Sequence, residues 1–123
     1  MSEKNNGVTL SERASSQVEV FLSTLKKNYV YPKYVISSTI EGGLGLSGSE
    51  IRDIVRYLRR DYVLVISDTK GYSYTDDWKV MERVCLPHLR GRRNSIDTTI
   101  REIEKAIYQN KYKKVNLNQF ELL

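Results

Sequence analysis

The chain has 123 residues and a mass of 14.3 kDa, enough for one modest core and too little for two. Twenty Lys and Arg against 15 Asp and Glu leave a formal charge of +5, a balance suited to a polyanionic partner. The single cysteine, Cys85, excludes an intramolecular disulfide framework and a multi-cysteine metal site. No apolar run approaches the roughly 18 residues that span a bilayer and no signal-peptide core is present, so a cytoplasmic protein is expected.

Residues 1–14 are assigned to a flexible N-terminus, with helical patterning setting in from about Ser11. Val18, Phe21, Leu22, Leu25 and Tyr29 then recur on one stripe of a helix. Pro32 stops that helix and pushes its neighbour towards extended backbone, so Tyr34–Ile36 is expected to be a short strand. Ser37–Leu44, with Ile40 and Leu44 one turn apart, reads as a second helix weakened by glycine.

Ser47 and Glu50 have capping-box spacing, in which side chains satisfy two amide donors that a helix start leaves unpaired. Behind them Ile51, Ile54, Val55 and Leu58 form a narrow apolar stripe. At about 100° per residue the opposite face carries Ser49, Asp53, Arg56 and Arg60, with Arg52 and Arg59 on its flanks. Tyr62–Ile66 and Tyr72–Tyr74, joined by Asp68, Thr69, Lys70 and Gly71, predict an antiparallel hairpin. Thr75, Asp76 and Asp77 favour a helix start, and Pro87 should either break that helix or stand in the first turn of the next.

In the last third, Leu86, Leu89, Arg93, Ile96, Ile100, Ile103 and Ile107 alternate spacings of three and four. This is a heptad seam interrupted by one arginine. It must be buried either on the body of its own domain or against a second chain. In the dimer alternative Leu86, Leu89, Ile96, Ile100, Ile103 and Ile107 carry the contact. The expected organisation is a flexible end (1–14), a winged helix-turn-helix (15–75), a helical or dimerisation segment (76–110) and a tail (111–123).

The element order is helix, short strand, helix, capped helix, hairpin, long helix. It predicts an α+β, mostly helical protein: a winged helix-turn-helix with a two-stranded wing and a long C-terminal helix. The stretch from Ile36 through Gly45-Leu46-Ser47-Gly48, Leu58-Arg59 and Gly71-Tyr72 resembles a family of small winged-helix proteins of Gram-positive phages and prophages, found among replication or regulatory genes. Arg90–Ile96 resembles the start of that family's long helix, and the likeness covers roughly residues 18–107. It implies binding to double-stranded DNA, in transcription regulation or replication-origin recognition.

On that reading the DNA-contacting residues are Ser49, Arg52, Asp53, Arg56 and Arg60 of the capped helix, Lys70 of the wing and Lys33 before the second helix. Arginine suits the role because its planar fork matches the two acceptors of guanine, while a carboxylate such as Asp53 can accept from cytosine. Arg90, Arg92 and Arg93 could extend the basic footprint. The alternative is a phage interaction module that docks on host machinery through its seam or tail. Gln119, Phe120, Leu122 and Leu123 resemble the short peptide by which bacterial proteins dock on the replicative sliding clamp.

No enzymatic activity, cofactor or metal is expected. Cys85 and His88 lie three residues apart on one helical segment, where a packed thiol beside a surface imidazole is the ordinary outcome. Gly43, Gly45 and Gly48 match the glycine spacing of a dinucleotide loop, but an antiparallel hairpin follows instead of a parallel βαβ unit.

Overall fold

The computed structural model describes the backbone of residues 5–122 and the side chains of residues 6–112. It divides into two compact units, Met1–Pro87 and His88–Leu123.

In the first unit, α1 (Glu12–Asn28) starts at Ser11, whose side chain accepts from the Ala14 amide. It buries Ala14, Phe21 and Leu25, with Val18, Leu22 and Tyr29 packed partly against the same core. Val8 and Leu10, placed by the sequence in the flexible end, also lie in that core at 2 % and 1 % exposure. Two apolar residues ahead of a helix carry no periodicity, which is why the pattern could not reveal them.

α2 (Ser37–Leu44) closes on Gly45 in the left-handed conformation, whose amide donates to the Glu41 carbonyl. That closure turns the chain within three residues into α3 (Gly48–Arg60). The Ser47–Glu50 capping box is formed in both directions, and Ile51, Ile54, Val55 and Leu58 are all buried.

The hairpin is antiparallel, β1 (Val65–Asp68) paired with β2 (Gly71–Tyr74) in the register Val65 to Tyr74 and Asp68 to Gly71. Its first strand starts three residues later than the sequence suggested, because residues 61–63 finish α3 instead. Tyr62 takes a left-handed φ of 66° and its amide donates to the Arg59 carbonyl, while the Val63 amide reaches back to Leu58. This is a Schellman closure with tyrosine where glycine is usual. The strand expected at Tyr34–Ile36 shortens to a single bridge, Val35 against Tyr72. β2 therefore lies between β1 and the Val35 segment, and the Phe21 ring meets Tyr72 edge-on at 6.0 Å.

Asp77 caps a short helix α4 (Trp78–Val80), followed by a π-helical turn (Met81–Cys85) and then α5 (Leu86–Leu122). Pro87 sits in the first turn of α5, the second of the two placements the sequence allowed. The second unit is made from α5 alone. Among the described residues no helix is long and apolar enough to cross a membrane. The architecture is α+β and mostly helical, with a small two-stranded antiparallel sheet and a long C-terminal helix.

Candidate nucleic-acid interface

A helix that buries four aliphatic side chains on one side holds its other side in a fixed orientation. On that outer face of α3, Ser49, Arg52, Arg56 and Arg60 are exposed and Asp53 is partly so. Asp53 lies 3.8 Å from Arg56, a loose pair one turn apart with both side chains substantially solvated. Such a pair contributes a few tenths of a kcal/mol, too little to hold Arg56 away from a phosphate or base. Arg52 makes no ion pair among the described residues. Its guanidinium lies against Gly48, where an added Cβ would stand 3.4 Å from Arg52 Nη1 and 3.3 Å from Glu41 Oε2.

Arg60 is engaged differently, its Nη1 donating to the Asn6 carbonyl at 3.3 Å. Asn6 in turn donates through Nδ2 to the Tyr57 carbonyl at 2.9 Å. The N-terminal segment is thus tied to the end of α3, and Arg60 shares its donors with that tie.

Arg59, which the sequence places on the flank of the basic face, is turned inwards. Its Nε and Nη2 both donate to the Val65 carbonyl, at 3.0 and 2.8 Å, and Nη2 also reaches Ser67 Oγ at 3.0 Å. The buried Cys85 thiol lies 3.8 Å from the same nitrogen. Arg59 therefore clamps α3 to β1 through a forked donor that a lysine ammonium could not reproduce. Helical spacing alone could not separate this arginine from its neighbours, because the acceptor belongs to a strand.

The start of α3 is locked to α1 by one carboxylate. Glu50 Oε1 accepts from the Ser47 amide at 3.0 Å and from Arg13 Nη2 at 2.9 Å, and Oε2 accepts from Ser11 Oγ at 2.8 Å. The hydrogen bond from the Ser47 backbone, then that from Ser11, hold the Glu50 carboxyl below its ordinary pKa. Both helix starts are fixed by side chains that meet each other, so the arginine face is preorganised on the core.

At the tip of the hairpin, Lys70 stands in the two-residue turn Thr69–Lys70, its amide donating to Asp68 Oδ1 at 2.7 Å. The ammonium lies 5.5 Å from the centre of the Tyr34 ring. Burial, and then the Asp68 carboxylate, raise the Tyr34 hydroxyl far above its ordinary pKa, so it stays protonated. Lys33 is exposed beside Tyr34, and its carbonyl accepts from Ser73 Oγ at 2.7 Å, which joins this loop to β2. Lys33 thus precedes in the chain the tyrosine against which the Lys70 ammonium lies.

Arg90, Arg92 and Arg93 are exposed on α5 in the second unit, as are Ile96, Ile100, Ile103 and Ile107, whereas Leu89 is half-buried and Leu86 is 38 % exposed. Gln119, Phe120, Leu122 and Leu123 lie outside the described side chains. Among the described residues no group of three or more His, Cys, Asp or Glu could hold a metal ion. No protein-family model matches the chain, and neither does any curated protein or solved structure.

Proposed function

We propose that this chain is a winged helix-turn-helix protein that binds double-stranded DNA, α3 entering the major groove and the β1–β2 hairpin flanking the backbone. It would act in transcription regulation or replication-origin recognition, as the resemblance to small proteins of Gram-positive phages and prophages implies. The observation that carries the reading is the outer face of α3. Ser49, Arg52 and Arg56 are exposed there, on a capped helix whose inner face is fully packed.

Chemistry favours duplex DNA among polyanions. The major groove admits one α-helix, and arginine forks read the O6 and N7 acceptors of guanine. Arg52 and Arg56 are the residues with reach and few competing partners. Asp53 is placed one turn from Arg56, where it can accept from cytosine and reject a badly set phosphate. Lys70 and Lys33 supply sequence-independent phosphate contacts beside the helix, which fix register without reading bases. Arg60 contributes at the helix end while it remains tied to Asn6. The element order and the position of β2 between β1 and the Val35 segment support the winged reading. No cofactor enters this mechanism.

The test is resonance mapping by NMR with a short duplex at low salt. Amide signals of residues 49–60 and 69–71 are expected to move, while those of Glu19, Ser23 and Lys27 on the outer face of α1 stay in place. Movement confined to α1 or to the α5 seam, or none in a folded protein, would overturn the assignment.

A further inference from the structure

Every described side chain from Arg90 to Tyr112 of α5 is exposed, although the sequence is not polar all round. Ile96, Ile100, Ile103 and Ile107 are 50–54 % exposed and follow one another at four, three and four residues, so they share one stripe. Ile103, Ala106 and Ile107 line a shallow apolar groove along it. A helix with such a stripe left in water is incomplete.

The geometry points to a second copy of this chain as the occupant of the stripe, paired parallel and in register as a two-stranded coiled coil over residues 93–110. A 3-4 repeat drifts only slowly around a helix, so it fits best a partner whose repeat drifts equally. A copy of this chain has that repeat by identity. With Arg93, Ile100 and Ile107 at the first core position of successive heptads and Ile96, Ile103 and Asn110 at the second, each residue meets its own counterpart.

The flanking charges set the direction. In the parallel pair Arg92 faces the copy's Asp97, and symmetry repeats the attraction on the other side. The next flanking pairs, Thr99 with Glu104 and Ala106 with Lys111, bring no like charges together. The antiparallel register that opposes all four isoleucines sets Ile100 against the copy's Ile103. It then brings Asp97 beside the copy's Glu104 and Arg90 beside the copy's Lys111, each twice, and all four contacts are repulsive. Isoleucine at both core positions would admit a third strand. The Arg93 layer decides for two, because two guanidiniums can extend outwards from a two-stranded seam and three would converge. This pairing does not rest on DNA binding.

Sedimentation equilibrium of the full chain tests it. The expected mass is twice 14.3 kDa, falling to that of one chain for Ile100→Lys/Ile103→Lys. Both positions are half exposed, so the first unit of that variant keeps its thermal transition. A single-chain mass at every concentration up to about 100 μM, a three-chain mass, or a lysine variant that still associates would each overturn the proposal. Direction is read with Ile107→Cys under mild oxidation, since the native Cys85 is 1 % exposed and does not compete. Parallel in-register chains become covalently joined through residue 107. In the antiparallel pair residue 107 opposes residue 96, about 16 Å along the helix from its counterpart, and an associated sample that fails to crosslink would overturn the parallel direction.

Discussion

Replacing Gly71 with alanine is expected to destabilise the first unit by about 3 kcal/mol and to lower its melting temperature by roughly 12–24 °C. Gly71 has φ +120°, a region that side chains rarely enter. The larger difficulty is space: an added Cβ would stand 2.0 Å from the Val35 carbonyl oxygen, 2.8 Å from its carbon and 3.0 Å from Ile36 Cα. All three are backbone atoms, so no rotamer change relieves the contact. The hairpin must retreat by more than 1 Å from the Val35 segment, a shift of the order that separates such a contact from ordinary van der Waals distance. The reciprocal hydrogen bonds between Val35 and Tyr72, each 2.9 Å, then break. Two bonds at about 1 kcal/mol each and about 1 kcal/mol of backbone strain give the figure. Urea or thermal unfolding checks it, and a midpoint within two or three degrees of wild type would show that the close approach is not maintained in solution.

The second large effect is functional. Arg52→Ala/Arg56→Ala is expected to weaken duplex DNA binding by at least about thirty-fold, since each well-placed arginine contact contributes about 1–3 kcal/mol. Stability should change little, because both side chains are exposed and, among the described residues, the only ion pair lost, Arg56 with Asp53, is long and solvated. Arg59→Ala provides the contrast. It removes the clamp on Val65 and Ser67 and should lower stability before it alters any surface contact. Fluorescence anisotropy alongside thermal unfolding separates the two. Wild-type affinity in the double variant would take α3 out of the interface.

Much of this arrangement is legible in the residues themselves. Ser37–Leu44 is helical over the span its spacing indicates, despite Gly42 and Gly43. The box at Ser47 and Glu50 and the stripe from Ile51 to Leu58 are formed as their spacing requires, because capping and helical periodicity are local properties. What the pattern could not supply depends on distant partners. Val8 and Leu10 enter the core only because α1 and α3 leave room for them. Arg59 leaves the basic face only because a strand carbonyl waits for it. Gly71 reads as a turn glycine, whereas its decisive constraint is the backbone of Val35 more than thirty residues away. The first strand of the hairpin is displaced because Tyr62 accepts a left-handed conformation to finish α3, a position where its sequence signals strand. The α3 arginines were identifiable from spacing, but the fork on Val65 that separates Arg59 from Arg52 and Arg56 was not.

The most direct measurement is titration of a random duplex pool with the wild-type chain at two salt concentrations. With three or four lysine and arginine contacts to phosphate, affinity should fall about 40- to 150-fold between 50 and 200 mM monovalent salt, as released counterions are returned. A folded protein that shows no binding at the lower salt, or binding indifferent to salt, would contradict the DNA-binding account and direct attention to a protein partner instead.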